Sequence, residues 1–243
     1  MIAWKGHSLI GTKAKTQVIL TGIETASKNS KTLDMVQGYI LVDQVDPVQA
    51  QKRGRDESIC GQCPLRWFLA LAAGTPRCYV VAVHDALSTW KAHRGKRAKM
   101  PTEPLGRPLR IGTYGDPAAV PVKIWRNLIK LSGYTIDRAR KKGVRWGPAW
   151  SGYTHQWRRA PHLKAITMAS VDNEAEALAA QAKGWRTYRH RPHGAPLLPS
   201  EIDCPHPTRG VTCNHCSATA GLCNGRQGAQ DKRPSISIEN HGQ

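Results

Sequence analysis

The chain has 243 residues and carries 36 Lys and Arg against 17 Asp and Glu, a formal net charge of +19. This length is enough for one sizeable domain with a core of its own. The longest apolar run, residues 67–73, is far shorter than the roughly 20 residues of a membrane span, and the first residues lack a signal-peptide pattern. These features predict a cytoplasmic protein without membrane contact, in which secreted-type disulfides do not explain the seven cysteines.

The apolar pattern along the chain predicts short strands and helices. Residues 18–20, 39–42 and 108–114 have the composition and length of strands, and residues 86–97 favour a helix. The later part predicts strands at Trp150–Thr154, residues 163–170 and residues 185–189, and helices at Val122–Leu131 and residues 174–183, the second capped by Asn173. This order predicts an α/β fold with a parallel sheet or part of a (β/α) barrel.

The composition divides the chain into three regions. Residues 1–58 form a polar N-terminal part with short strands, and residues 59–191 hold the α/β core and the first cysteines. Residues 192–243 are rich in Pro, Gly, Cys and His, which predicts a Cys-rich metal-binding extension followed by a flexible tail.

Polar residues gather where the predicted parallel strands end, which is the edge where ligands bind in such sheets. Each also has an ordinary structural explanation: Asp116 fits a turn in which its carboxylate accepts backbone N–H bonds, Asp172 fits helix capping, and His155 fits a structural or exposed histidine. The candidate catalytic residues are Asp116, His155 and Asp172, and the candidate cofactor-binding residues are Thr113, Thr154 and Ser170.

Basic residues form blocks with aromatic residues between them, a pattern that can track phosphates while rings stack on bases. A solvated basic face, or a surface for an acidic host protein, explains the same pattern. The candidate nucleic-acid contacts are Arg94, Lys96, Arg97, Arg140, Lys141, Lys142, Arg158 and Arg159. A further block holds Lys183, Arg186, Arg189 and Arg191, and the interleaved aromatics are Trp90, Trp146, Trp157, Trp185 and Tyr188.

The cysteines fall into two groups that indicate metal binding in a reducing compartment. Four thiolates suit a closed zinc site or an iron–sulfur cluster, with His206 and His215 as spare ligands. Three thiolates leave one iron of a [4Fe–4S] cluster open, or make a zinc site completed by His84. Free structural cysteines, a redox disulfide and one shared site are the alternatives. The first group is Cys60, Cys63 and Cys78, and the second is Cys204, Cys213, Cys216 and Cys223.

An ordered series of short motifs carries a resemblance to known proteins. It consists of Cys60-Gly-Gln-Cys63, Cys78-Tyr79, Gly-Thr-Tyr-Gly-Asp-Pro at residues 112–117, Gly-Tyr-Thr-His-Gln-Trp at residues 152–157, Ala-Ser-Val-Asp at residues 169–172 and the late cysteines. Over roughly residues 22–225 the series resembles a group of uncharacterised Cys-rich proteins carried by bacteriophages and plasmids. More remotely, it resembles radical S-adenosylmethionine (SAM) proteins, although their usual C-x3-C-x2-C spacing is here C-x2-C-x14-C.

The remote resemblance implies a radical-SAM-like partial barrel with an open [4Fe–4S] cluster on Cys60, Cys63 and Cys78. It implies that SAM or substrate lies along the strand ends at Thr113, Asp116, Thr154, Ser170 and Asp172, and that the second cysteine group holds Zn2+ or a second iron–sulfur cluster. The expected function is a mobile-element iron–sulfur protein that contacts nucleic acid, as a cluster-dependent modifying enzyme. The alternative is a zinc-stabilised regulator that binds nucleic acid or a host protein without catalysis.

Overall fold

One nine-stranded sheet organises the residues that the structure describes, which are 1–27, 29–75, 77–78, 80, 82–133 and 148–239 of a computed structural model. The strands are β1 Ile2–His7, β2 Lys15–Thr21, β3 Val36–Val42, β4 Leu109–Tyr114, β5 Trp150–Thr154, β6 Met168–Val171, β7 Thr187–Arg191, β8 Glu201–Asp203 and β9 Ser235–Glu239. Their order across the sheet is β1-β2-β3-β4-β5-β6-β7-β9-β8.

The direction of the strands places the loops that matter for function. β1, β2 and β3 pair antiparallel, whereas β3 to β7 are parallel neighbours in chain order and continue, still parallel, through β9 to β8. The chain segments that follow β3, β4, β5, β6 and β7 therefore leave the sheet at one edge. The predicted α/β class is confirmed, and the sheet is open because β1 and β8 do not pair with each other.

Helices connect the parallel strands. They are α1 Pro47–Lys52, α2 Glu57–Cys60, α3 Trp67–Ala73, α4 Asp85–His93, α5 Val122–Leu131, α6 Glu174–Ala182, α7 Pro205–Arg209 and α8 Cys213–Thr219. The first four all lie between β3 and β4, so the first cysteine group belongs to the longest connection of the sheet. Among the residues described, no helix combines the length and the apolar character needed to cross a membrane.

Two hydrophobic cores pack against the sheet. The larger one includes β2, β3 and β4 together with the buried face of α5, and the fully buried Trp125 at its centre donates from Nε1 to the Pro117 carbonyl at 3.0 Å. The smaller one lies on β6, β7 and β9 and includes the Cys204 side chain, with Cys223 packed against it. Two of the late cysteines, Cys204 and Cys223, therefore pack in this smaller core.

Most predicted elements in the middle of the chain are confirmed. The strand at Trp150–Thr154 and the helix at Val122–Leu131 have the predicted bounds. The predicted strand at 163–170 is wrong in its first half, since the Ile166 and Thr167 N–H groups donate back to the Leu163 carbonyl and the strand starts at Met168. The local turn bonds outweigh the strand-like composition of this segment.

A buried ion pair joins β7 to β8 on either side of β9. The Arg189 guanidinium donates to the Glu201 carboxylate, with Nη2–Oε2 at 2.6 Å and Nε–Oε1 at 2.8 Å. Both side chains are at most 4% exposed. Two aligned hydrogen bonds between opposite charges compensate for the water that both groups lose on burial.

We expect the Glu201→Gln variant to lose about 3–5 kcal/mol of unfolding free energy, because it leaves Arg189 as an uncompensated buried charge. Denaturant-induced unfolding measures the loss. The matched control is Asp203→Asn, which removes a 40% exposed partner of Arg191 and should cost at most about 1 kcal/mol. Equal losses in the two variants would contradict this assignment.

Candidate functional site at the carboxyl edge of the sheet

The buried carboxylate of Asp116 joins the ends of two parallel strands. Its Oδ1 accepts hydrogen bonds from Ala118 N at 2.9 Å and Thr154 Oγ1 at 2.7 Å, and its Oδ2 accepts from His155 N at 2.8 Å. Its own N–H donates to the Ile59 carbonyl at 2.6 Å. Burial raises the pKa of Asp116, and these hydrogen bonds act in the opposite direction. Asp116 therefore fixes the β4 and β5 ends against α2.

The first cysteines lie on a tight turn that is hydrogen-bonded to the segment after β5. Cys60 ends α2, and the Gln156 side chain donates from Nε2 to the Cys60 carbonyl at 3.1 Å. Gly61 has a φ of +57°, and a Cβ there would lie 2.7 Å from the Gln156 amide. A side chain at this position would strain the backbone and displace the Gln156 amide that binds the Cys60 carbonyl.

A buried arginine holds the same turn by hydrogen bonds from the other side. Arg66 donates from Nη2 to Asp56 Oδ1 at 2.7 Å and to the Gly54 carbonyl at 2.7 Å, and from Nη1 to the Gly61 carbonyl at 3.2 Å. The Arg66 and Asp56 side chains are 7% and 2% exposed. No sequence motif signals this contact, because it depends on backbone carbonyls that the fold brings together.

The three thiols of the first group interact with one another in a buried setting. Burial raises the pKa of Cys60 well above its usual range, and Asp56, Cys63 and Cys78 raise it further. Burial also raises the pKa of Cys78, while a hydrogen bond from the Val80 N–H to its sulfur acts in the opposite direction. Thiols in this setting ionise only when a cation compensates for the lost solvation.

Two buried polar groups beside these thiols lack a hydrogen-bond partner within the described chain, namely His155 Nε2 and the Tyr114 hydroxyl. His155 Nε2 lies 3.7 Å from Asp172 Oδ2, an ion-pair distance rather than a hydrogen bond. Burial would lower the pKa of His155, but Asp172 and Cys63 outweigh it and raise that pKa well above its usual range. Tyr114 interacts with the Cys60 and Cys78 thiols.

The predicted site residues meet at this edge only in part. Asp116, His155 and Asp172 come together, and His190 of β7, which the sequence did not single out, interacts electrostatically with Asp172. The predicted cofactor-binding residues are engaged or buried: Thr113 Oγ1 donates to Gln37 Oε1 at 3.0 Å, Thr154 Oγ1 donates to Asp116, and Ser170 lies inside β6. The catalytic and cofactor-binding roles stay predictions.

The four thiols of the second group also interact with one another. The Cys223 thiol donates a hydrogen bond to Cys216, which lowers the pKa of Cys216 and raises that of Cys223 well above its usual range. Backbone N–H groups of His206 and Leu222 donate to the sulfurs of Cys204 and Cys216. Cys213 interacts with Cys223 and with Cys204. Their partition into groups of three and four agrees with the sequence spacing.

The chemistry of both groups fits thiolate-bound metal, although the ligands are not preassembled. Among the described residues, no set of three or more His, Cys, Asp or Glu side chains is arranged to hold a metal ion. The donors are nevertheless the right type, each is at least partly buried, and backbone N–H groups donate to three of the sulfurs. The histidine next to the first group is His155, whereas His84 is exposed at the start of α4.

The basic blocks divide into structural and exposed residues. Arg186, Arg189 and Arg191, predicted to lie in a phosphate-tracking block, are instead at most 5% exposed because they hydrogen-bond carbonyls and carboxylates of the protein. The rings of Trp90, Trp157 and Trp185 are also buried. The prediction that these rings stack on bases is therefore wrong. Exposed candidates are Arg94, Lys96, Arg97, Arg158 and Arg159, while Arg140, Lys141, Lys142 and Trp146 lie outside the described residues.

One of the exposed candidates already has protein partners. Arg158 donates to Glu176 Oε1 at 3.1 Å, and its guanidinium lies 4.0 Å from the centre of the Trp157 ring. A phosphate at this position would compete with the Glu176 carboxylate. Arg158 is therefore a weaker candidate for a phosphate contact than an exposed cation without an acidic neighbour.

Comparisons of the chain with protein-family models, with curated proteins and with solved structures returned no match. The interpretation of the site therefore depends on its own geometry and chemistry. Its two firmest features are the shared edge of the parallel strands and the two groups of interacting thiols.

We expect Asp116→Ala to lower the free energy of unfolding by about 3 kcal/mol or more, because it leaves three buried donors without an acceptor at about 1–3 kcal/mol each. Thermal or denaturant unfolding measures the change. Glu174→Ala is the control, since it removes an exposed carboxylate from the first turn of α6 and should cost less than about 1 kcal/mol. An Asp116→Ala variant as stable as this control would rule out the joining role.

Proposed function

We propose that this chain is a cytoplasmic iron–sulfur protein of a mobile element that contacts nucleic acid and modifies it through a cluster-dependent reaction. The observation that carries the proposal is the meeting of three interacting, partly or fully buried thiols with His155 and Tyr114 at the carboxyl edge of the parallel strands. This edge is where α/β sheets hold their reactive groups.

The strand order supports a radical-SAM-like partial barrel as the underlying architecture. β3 to β7 are parallel neighbours in chain order, as the strands of a (β/α) barrel are, and the sheet stays open. In this interpretation β3 is the first barrel strand, and the segment that follows it carries Cys60, Cys63 and Cys78. β1 and β2 then extend the sheet beyond the barrel as an antiparallel edge.

In this proposal Cys60, Cys63 and Cys78 hold three irons of a [4Fe–4S] cluster. The wider spacing to Cys78 is bridged by α3, and the Cys78 N–H returns to the Leu65 carbonyl at 2.8 Å, close to Cys63 in the chain. When bound, such a cluster with one open iron supplies an electron for radical chemistry on SAM.

The chain's own residues prepare this site. The Tyr114 hydroxyl and His155 Nε2 place buried polar atoms beside the thiols, with Gln51 next to the first and Asp172 next to the second. Asp172 orients His155, and Asp116 with Arg66 fixes the backbone on which Cys60 lies. We assign Asp172 and His190 to the wall that faces SAM or substrate, because they stand at the ends of neighbouring strands.

We expect anaerobically purified protein to contain about four iron and about four acid-labile sulfide per chain, together with one zinc. Cys63→Ser should lose the iron and sulfide and keep the zinc, because it removes a ligand of the first group only. Cys213→Ser is the matched control, which should keep the iron and lose the zinc. Elemental analysis and the visible absorption spectrum measure both.

Stoichiometric zinc without acid-labile sulfide would contradict the iron–sulfur proposal. A separate measurement tests the SAM step: the electron paramagnetic resonance spectrum of the reduced protein should change when SAM is added. An unchanged spectrum would reject SAM as the ligand of the open iron while leaving the cluster in place.

The second thiol group favours a second candidate function, a zinc-stabilised regulator that binds nucleic acid or a host protein without catalysis. Its four thiols are the right number for a closed donor set, two of them, Cys204 and Cys223, pack in the smaller core, and Tyr153 lies beside Cys223. Closed four-thiolate sites are typical of structural zinc. Zinc in both groups would make this second candidate the better description.

We expect a strong chelator to lower the melting temperature of the protein, because removing zinc from the second group also removes folding free energy. The Cys216→Ser variant should start at a lower melting temperature and respond little to the chelator. The Cys63→Ser variant should still respond, since its second group is intact. A chelator effect that survives in Cys216→Ser and disappears in Cys63→Ser would place the stabilising metal in the first group instead.

A further inference from the structure

An open cleft of about 560 Å3 lies between α1 and α4, beyond the carboxyl end of β3. Four of its lining residues are cationic: Arg53, Arg55, Lys91 and Arg94. All four are exposed, and none forms an ion pair with a described residue. The cleft therefore offers positive charge that the described chain leaves uncompensated.

The acidic contribution to the cleft is small and already engaged. Asp46 is the one carboxylate among its lining residues in the described chain, and its Oδ1 accepts from the Gln49 N–H at 2.9 Å as the N-cap of α1. Asp43, next to the cleft, pairs with Lys5 at 2.7 Å. The four cations and one carboxylate that line the cleft thus leave an excess of three positive charges.

The walls of the cleft are held in place by hydrogen bonds. Trp90 of α4 donates from Nε1 to the Val42 and Asp43 carbonyls, both at 3.2 Å, which fixes α4 against the end of β3. The Arg94 guanidinium lies 5.3 Å from the centre of the Trp90 ring, at cation–π distance. On the opposite wall, Arg66 binds the Gly54 carbonyl between Arg53 and Arg55.

The chemistry of the cleft matches a chain of phosphates better than it matches bases. Trp90 is only 7% exposed and Arg94 covers it, so its ring provides no free stacking face. The volume lies in the range of small-molecule sites, which suits a few phosphates of one strand rather than a duplex. Guanidinium groups bind phosphate oxygens in pairs and carry their charge at any physiological pH.

We propose that this cleft binds the phosphodiester backbone of a single-stranded nucleic acid. The inference rests on the proposed function and names the surface through which its substrate is held. Arg66 contacts both the cleft wall at Gly54 and the cysteine turn at Gly61. Arg66 therefore ties the segment that carries Arg53 and Arg55 to the cysteine turn. We expect binding in the cleft to be insensitive to base sequence, because the cleft contacts phosphates.

The test uses a triple variant, Arg53→Gln, Lys91→Gln and Arg94→Gln, and a matched control, Lys123→Gln, Arg126→Gln and Lys130→Gln. The control removes three exposed cations from α5, away from the cleft, so both variants have the same net charge. Fluorescence anisotropy measures the binding of labelled single-stranded DNA and RNA of one mixed sequence, across a salt series. Circular dichroism checks that each variant is folded.

We expect the cleft variant to bind at least about tenfold more weakly and the control within about threefold of the unaltered protein. The slope of log affinity against log salt should become shallower by about 2 in the cleft variant, since each phosphate contact on a single strand contributes about 0.7. If the triple variant does not fold, Lys91→Gln alone should reduce the slope by about 0.7.

Three results would overturn the proposal in distinguishable ways. Equal losses in the two triple variants would show that binding follows net charge, which rejects the cleft and leaves the nucleic-acid contact standing. Tighter binding of a duplex of the same sequence would reject the single-strand assignment. Unaltered protein that binds neither DNA nor RNA with salt dependence would reject both the cleft and the nucleic-acid part of the proposed function, independently of the metal measurements.

Discussion

The candidate site depends on one buried carboxylate, that of Asp116. Three donors from the 3-10 turn after β4 and from the end of β5 converge on its two oxygens, while its backbone N–H reaches the last turn of α2. A buried carboxylate whose two oxygens both accept hydrogen bonds from the protein holds neighbouring segments together and does not act as a reactive group. Its effect is indirect: it sets where Cys60 and His155 lie relative to each other.

The cysteine turn is held from two directions by groups that do not themselves react. Gln156, in the turn after β5, binds the Cys60 carbonyl, and Arg66 binds the Gly61 carbonyl from the start of α3. The turn carries thiols whose ionisation is opposed by burial. A rigid, buried set of sulfurs without a compensating cation is costly to ionise, and coordination of a metal removes that cost.

The sequence could predict the parts of this arrangement that follow from periodicity and from one topological rule. The helical spacing of apolar residues predicts α5, and the rule that parallel strands end at one edge predicts that Asp116, His155 and Asp172 meet. It could not predict Arg66 or Tyr114. The role of Arg66 depends on how the chain turns back to bring carbonyls within reach, and that of Tyr114 depends on thiols that are distant in the chain. Burial of a long polar side chain has no local sequence signal.

The net charge of +19 consists of two populations with different consequences. Arg66, Arg186, Arg189 and Arg191 are crosslinks inside the protein, and their guanidinium groups are committed to carbonyls and carboxylates. At physiological salt a charge acts over about 8 Å, so residues beyond that distance contribute little to holding a phosphate. What matters for a polyanion is thus the local excess of exposed cations over acids. The cleft between α1 and α4 has such an excess.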